Sequence, residues 1–200
     1  LSDFWTPMWR HPKCAGRMVR AAWRRYSAEV ATPGASPSYA ELGEAFELHT
    51  MHLLRPHRIR LSHVGGRGDG GIDMRGHWHF PDESSVAVVV QCKNIGKRCA
   101  PNIVRELEGV LSGLLPQPTV GLLVCSNEAT IQTATRVAAS QLALIYIYIQ
   151  GAHIANIILS HGFRMMLPHL HVSYKLGLDL DTMQRTERPQ FVYKGIVCTE

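Results

Sequence analysis

The sequence predicts an α/β fold in which helices flank a mixed central β-sheet. The chain has 200 residues, of which 46% are hydrophobic, enough for the core of one domain with extensions. Helical and strand periodicities follow one another along the chain in the order α-β-β-β-α-β-α-β. Because the later strands alternate with helices, we expect a mixed sheet covered on both faces. We place the core domain at residues 39–162 and treat residues 163–200 as its C-terminal extension.

The first predicted helix begins near Tyr39. Ser38 and Glu41 form the capping-box pattern Ser-x-x-Glu, which supplies partners for two backbone N–H groups at a helix start. Pro56 ends the helix. Its apolar side chains form one predicted stripe: Tyr39, Leu42, Phe46 and Leu53.

Three strands follow, with a glycine-rich loop at residues 65–71 between the first and the second. The first strand covers residues 58–64, and the loop must turn tightly, which glycine permits at positive φ. Residues 72–80 alternate and form the second strand. The third covers residues 86–93, and Gln91 and Lys93 share a face because they are two residues apart. Two faces are predicted for the second strand: Ile72, Met74, Trp78 and Phe80 on one, and Asp73, Arg75, His77 and His79 on the other.

The later elements are less regular. Pro101 suits the first position of a helix, and we predict a strand at 119–125, a helix at 129–140, a strand at 142–149 and a helix at 152–161. Strand-like pieces at 170–176 and 190–198 have no predicted place in the sheet. Residues 142–159 are apolar and nearly long enough to span a bilayer, but the polar residues inside them favour a buried strand and no membrane. Those residues are Gln150, Gly151, His153 and Asn156.

The N-terminal segment resembles a targeting sequence. Residues 1–26 hold six basic residues and one acid, Asp3, with interleaved aromatic side chains. That composition is typical of a mitochondrial transit peptide, and residues 27–38 form a linker rich in Pro, Ser, Gly and Ala. We therefore predict import into the mitochondrial matrix. The alternative is a basic amphipathic helix that stays on the protein.

Charge and cysteine content narrow the classes of function. Without residues 1–26 the chain has 15 basic and 15 acidic residues, yet residues 55–105 carry nine basic residues against four acids. A local basic face suits a polyanionic partner, although solvated surface is an equally good explanation. Five scattered cysteines without a CxxC pair argue against a disulfide framework and a zinc ribbon. Pairs of histidines occur, but no third ligand completes a zinc set.

One group of polar residues carries chemistry. Asp73 follows the glycine-rich loop, and Gln91, Cys92 and Lys93 end the third strand. The Asp73 carboxylate, the Gln91 side-chain oxygen and the Cys92 backbone carbonyl are hard ligands of the kind Mg²⁺ (or Mn²⁺) prefers. Lys93 can orient an attacking water or stabilise a phosphate.

The same residues resemble a known family pattern. A glycine-rich loop, Gly71-Ile72-Asp73, a strand and then Gln91-x-Lys93 resemble the PD-(D/E)xK nuclease superfamily. The Mrr-like restriction endonucleases are most similar, because they carry glutamine at the usual acidic position. Residues 43–47 are similar to the Gly-x-x-Phe-Glu of their first helix, and residues 120–127 to their strand after the motif. The leader points to fungal mitochondrial members, of the required-for-respiratory-growth type.

The resemblance implies a restriction-endonuclease-like fold with an αβββαβ core and Mg²⁺-dependent cleavage of DNA. It assigns Asp73, Gln91, Lys93 and Glu47 as metal and catalytic residues. Because Gln91 lacks the usual charge, metal binding depends more heavily on Glu47. The alternative is a catalytically inactive nuclease-fold protein that binds nucleic acid or a protein partner in mitochondrial genome maintenance; a homodimer is left open. Residues beside the motif are expected to contact DNA: Arg67, Asp69, Arg75, Lys97 and Arg98.

Overall fold

A computed structural model of the chain describes residues 38–64, 70–179 and 184–199. Its centre is a mixed sheet with the strand order β1-β2-β3-β4-β5-β6. Strands β3, β4 and β5 are parallel, whereas β1, β2 and β6 run antiparallel to their neighbours. The predicted class and the αβββαβ order are confirmed. The elements are α1 (Tyr39–Leu54), β1 (Ile59–His63), β2 (Met74–His79), β3 (Ser85–Lys93), α2 (Pro101–Leu114), β4 (Thr119–Cys125), α3 (Ile131–Ala139), β5 (Leu144–Gln150), β6 (His153–Leu159) and α4 (His161–Met166).

Hydrophobic side chains of the sheet alternate between two cores. The first core lies on the face covered by α1 and includes Phe46, Trp78 and Val90. The second core lies on the face covered by α2 and α3 and includes Val89 and Leu107. Since strand side chains point alternately to opposite faces, consecutive valines of β3 enter different cores. The near-continuous apolar runs of β3, β4 and β5 follow from this burial on both faces.

Helix α1 begins where the capping box predicts. The Glu41 N–H donates to Ser38 Oγ at 3.2 Å, and the Ser38 N–H donates to Glu41 Oε2 at 2.6 Å. The predicted stripe is wrong at its first member, because Tyr39 is 96% exposed. In the described part of the chain, the first turn of the helix contributes no buried residue. The buried residues of α1 are Ala45, Phe46, Thr50 and Leu54.

Strand β2 departs from the predicted alternation at its start. Met74, Trp78 and Phe80 all enter the first core, as predicted. Ile72 was expected beside them but packs in the second core. The backbone therefore bends between Ile72 and Met74, directly after Gly70 and Gly71, whose φ angles are +65° and +82°. These two positive values are the tight turn that the glycine-rich loop predicts.

The predicted helix at residues 152–161 is wrong. These residues form strand β6, which pairs antiparallel with β5. Gly151 has φ +59°, a value that few other residues adopt, and it lies between β5 and β6. The isoleucines of β6 favour a strand, and the next helix, α4, starts only after Ser160, whose Oγ accepts from the Phe163 N–H at 3.0 Å. Within the described ranges, no helix is both long and apolar enough to cross a membrane.

The C-terminal extension forms a second, three-stranded sheet. Its strands are β7 (Leu170–Asp179), β8 (Gln184–Tyr193) and β9 (Ile196–Val197), in that order. Phe191 of β8 packs edge-on against Trp78 with a centroid distance of 4.7 Å, and Tyr193 stacks on Phe80 at 4.5 Å. The small sheet thus completes the first core. The predicted domain boundary at residue 162 falls inside α4.

Candidate functional site

Asp73 lies at the end of the sheet, immediately before β2. Its backbone N–H donates to the Val90 carbonyl at 2.9 Å, and its carbonyl accepts from the Val64 N–H at 3.0 Å. Its side-chain Oδ2 accepts from the backbone N–H of Cys92 at 2.6 Å. The carboxylate after the glycine loop is therefore held against the residue between Gln91 and Lys93. That the Gln91 amide and the Lys93 ammonium share a cation with this carboxylate stays a prediction.

Gln91 is buried, with 3% of its surface exposed. Among the described residues its Oε1 has no hydrogen-bond partner. A buried amide oxygen without a partner is costly, and a cation would satisfy it. Gly71 faces this side chain, because a Cβ added at Gly71 would lie 3.1 Å from Gln91 Nε2. The glycine before Ile72 therefore leaves room for the Gln91 amide.

Lys93 shares a face of β3 with Val89 and Gln91, as predicted. Val89 packs in the second core, which fixes this face as the one covered by α2 and α3. The Lys93 ammonium lies 3.1 Å from Oε2 of Glu106 on α2, and both side chains are partly exposed. The lysine is thus held near its place at the end of β3 by an ion pair of modest strength.

Glu47 reaches the same end of the sheet from α1. Its Oε2 pairs with Nε2 of His63, the last residue of β1. Burial raises the pKa of Glu47, and the negative charge of Asp73 raises it further, while the hydrogen bond to His63 opposes the rise. Glu47 therefore faces the site, near enough to Asp73 for their charges to interact.

Cys92 contributes its backbone to the site. Burial raises the pKa of its thiol, with smaller contributions from the charges of Asp73 and Glu47. The thiol consequently stays protonated at neutral pH and is a poor nucleophile. A role for its backbone carbonyl as a metal ligand stays a prediction.

This end of the sheet offers oxygen atoms that could bind a divalent cation. The negative charges of Asp73 and Glu47 repel each other, and among the described residues Gln91 Oε1 has no hydrogen-bond partner. Mg²⁺ and Mn²⁺ accept such oxygen ligands and keep several waters. Within the described ranges, no three side chains of His, Cys, Asp or Glu form a metal-binding group. A metal here would therefore need the Gln91 amide, backbone oxygens or water as further ligands.

The residues predicted to contact nucleic acid have different surroundings. Arg67 and Asp69 lie outside the described residues. Arg75 is exposed on β2, and Lys97 is exposed in the loop after β3. Arg98 in the same loop pairs with Glu128 at 3.1 Å, which offsets its charge locally.

Two residues at the site are absent from the sequence prediction. His63 could have been inferred from strand pairing, because it lies opposite Met74 in the β1–β2 register. Glu106 gives no such signal, since only the packing of α2 on the sheet brings it to Lys93.

Comparison with known proteins identifies the family. The model of the family "Required for respiratory growth protein 7" matches residues 38–87 and 80–175. This chain belongs to that family. The two matched segments cover α1, the whole central sheet and part of β7. The candidate site therefore lies within the part of the chain that matches the Required for respiratory growth protein 7 family.

A relative of this family member is an uncharacterized mitochondrial protein of Schizosaccharomyces pombe (strain 972). The two are 34% identical over 155 residues, which cover 74% of this chain and 62% of the relative. The chain thus spans less than two thirds of the relative's length. The family and this relative agree with the location that the basic leader predicts, and the protein is mitochondrial. Its placement in the matrix stays a prediction.

Among solved structures, the chain is similar to the MspJI restriction endonuclease in complex with a 27-mer oligonucleotide. The similarity covers 73% of this chain and 32% of that one, at 17% identity and a TM-score of 0.45. A TM-score below 0.5 is too low to support an argument about function.

Proposed function

We propose that this chain hydrolyses phosphodiester bonds of DNA with Mg²⁺ or Mn²⁺, as an Mrr-like member of the PD-(D/E)xK superfamily. The observation that carries the proposal is the hydrogen bond from the Cys92 N–H to Asp73 Oδ2, at 2.6 Å. It joins the acid after the glycine loop to the Gln-x-Lys end of β3. Glu47 approaches this end of the sheet from α1, on the other face from Gln91 and Lys93, and we propose that the four residues act together at the end of β3.

The metal would be held by Asp73, Glu47 and Gln91, with the Cys92 carbonyl as a further oxygen. A bound divalent ion would lower the pKa of a coordinated water and stabilise negative charge on a phosphate. Gln91 Oε1, which has no hydrogen-bond partner among the described residues, supports the inclusion of Gln91. Glu47 supplies the charge that glutamine lacks, and its pairing with His63 keeps its carboxylate at the site.

Lys93 would act on the water or on the phosphate. An ammonium is a compact charge with three donors, suited to a phosphate oxygen. Glu106 holds Lys93 in the absence of substrate. Because both side chains are partly exposed, their pairing is weak enough for a phosphate to compete for the ammonium.

DNA would be bound by basic residues beside the site. Arg75 and Lys97 are exposed near the ends of β2 and β3. Arg67, Asp69 and Arg98 are proposed as further DNA contacts from the sequence motif alone. Contacts of arginine and lysine with phosphates position a duplex without reading its sequence.

Binding without cleavage is the second candidate function. It is favoured by Gln91, which brings no charge to the metal, and by Glu106, which neutralises Lys93. Incubation of the purified protein with linear, circular and single-stranded DNA, with Mg²⁺ and with EDTA, separates the two functions. Cleavage that needs Mg²⁺ and is lost in Lys93→Ala supports the nuclease. Retained DNA binding without any cleavage supports the second candidate.

A further inference from the structure

One face of the β1–β2 hairpin carries basic side chains next to the candidate site. The register places Arg60 opposite His77 and Ser62 opposite Arg75, on the face away from Trp78. His79 follows on the same face of β2. Arg60, Arg75, His77 and His79 are all exposed. We call these four residues the hairpin strip.

No described helix covers the hairpin strip. Helix α1 packs on the opposite face of the sheet, in the first core. Helices α2 and α3 pack over β3, β4 and β5, and neither β1 nor β2 contributes a residue to the second core. As far as the described residues show, this part of the sheet faces solvent.

Within β1 and β2, no acidic residue is interspersed with the strip. Two acids occur in the turn that follows β2, at the end far from Asp73. One of them, Asp82, bonds to Lys194 at 2.7 Å and to the Tyr193 hydroxyl at 3.1 Å, and Tyr193 belongs to the first core. The other, Glu83, lies at the same distant end.

The strip is continuous with the site. Arg75 is two residues after Asp73, and the strip extends along β2 to His79, roughly 13 Å at 3.3 Å per residue. A DNA strand carries one phosphate per 3.4 Å of helix axis, so this length corresponds to about four phosphates. The histidine rings are neighbours, with centroids 6.3 Å apart, and each offers an N–H donor.

We infer that the hairpin strip is a binding surface for the phosphate backbone of double-stranded DNA, and that it directs the duplex toward Asp73. Arg60 and Arg75 would contact phosphates through charge-assisted hydrogen bonds, and His77 and His79 would donate hydrogen bonds from their ring N–H groups. The choice of DNA as the polyanion rests on the proposed function. The location of this binding surface is argued from the exposure and charge of the four side chains and from the register of β1 and β2.

The test measures binding apart from cleavage. A fluorescent 30-base-pair DNA duplex is titrated with the protein in EDTA at several salt concentrations. The variant is Arg75→Gln with His77→Gln. The control is Lys175→Gln with His171→Gln, which removes one cation and one histidine from exposed positions of β7. Urea unfolding confirms that both variants are folded.

The strip variant should bind at least tenfold more weakly than wild type, with a salt slope smaller by about one, as expected for a lost phosphate contact. The control should bind within twofold of wild type. Equal binding by the strip variant and wild type overturns the inference, as does a wild type that binds no DNA. Tighter binding of an RNA duplex of the same length overturns the assignment to DNA.

A cleavage assay of the wild type in Mg²⁺ reports on the proposed function separately. If the strip variant loses DNA binding and the wild type never cleaves DNA, the result supports the DNA-binding role of the hairpin strip and contradicts the nuclease activity. If the wild type cleaves and the strip variant binds normally, the nuclease stands and the strip does not.

Discussion

The substitution Asp73→Asn separates a catalytic role of this carboxylate from a structural one. Asn keeps an oxygen that can accept from the Cys92 N–H, now 2.6 Å from Oδ2, but it removes the charge. Hydrogen bonds to charged groups contribute roughly 1.5–3 kcal/mol and neutral ones about 1 kcal/mol. Relief of the repulsion with Glu47 offsets part of the difference. We therefore expect the free energy of unfolding to fall by no more than about 1 kcal/mol.

The effect on cleavage should be far larger. A carboxylate ligand lost from a metal site removes several kcal/mol of charge stabilisation, and each 1.36 kcal/mol is roughly tenfold in rate. Asp73→Asn should thus cleave duplex DNA at least about a hundredfold more slowly in Mg²⁺. Initial rates on a labelled duplex and urea unfolding measure the two effects.

A matched control is Asp82→Asn, which also removes one carboxylate charge, but beside Lys194. Its cleavage rate should equal that of the wild type. The reasoning is refuted if Asp73→Asn cleaves within a few-fold of wild type. It is also refuted if Asp73→Asn unfolds several kcal/mol more easily, because Asp73 would then serve the fold alone.

Three further changes have predictable outcomes. Lys93→Ala should abolish cleavage of DNA. It should lower the free energy of unfolding by under about 1 kcal/mol, because the ion pair of Lys93 with Glu106 is partly exposed. Undiminished cleavage by this variant would remove Lys93 from the mechanism. Burial lowers the pKa of His49 from 6.5, so the unfolded chain binds more protons than the folded protein as the pH drops. The free energy of unfolding should therefore fall between about pH 7.5 and pH 5.5. Urea unfolding at both pH values should show a smaller fall in His49→Gln. Gly76→Ala should lower the free energy of unfolding by at least about 2 kcal/mol, because its Cβ would lie 1.8 Å from a β1 carbonyl oxygen. Gly113→Ala, where the Cβ would enter open space, should leave the free energy of unfolding unchanged or raise it. Equal effects at both positions in urea unfolding would contradict the close approach of β1 to Gly76.

The sequence was informative where the site depends on local pairing. Asp73 and the Gln91–Lys93 segment belong to adjacent strands of one hairpin, so the motif spacing alone brings them to one end of the sheet. The capping box likewise located the start of α1 because all its partners are four consecutive residues.

Prediction was weaker where distant packing decides the structure. The contact of His63 with Glu47 joins β1 to α1, and that of Lys93 with Glu106 depends on how α2 lies on the sheet. The sequence did not predict where the small sheet lies, because its position depends on the pairing of β7 with β8 and on the packing of Phe191 against Trp78.

Strand β6 shows a different failure. Apolar residues that fill both faces of a strand show no clean alternation, so residues 152–161 resembled a helix. Gly151 was the available signal for a turn, and the isoleucines of β6 were the signal for a strand.

Calorimetric titration of Mn²⁺ into the metal-free protein tests the central claim most directly. The wild type should bind the ion, Asp73→Asn and Glu47→Gln should bind it at least about tenfold more weakly, and Asp82→Asn should match the wild type. A wild type that binds no Mn²⁺, or an Asp73→Asn variant that binds it equally tightly, would contradict a cation site between α1 and the ends of β2 and β3.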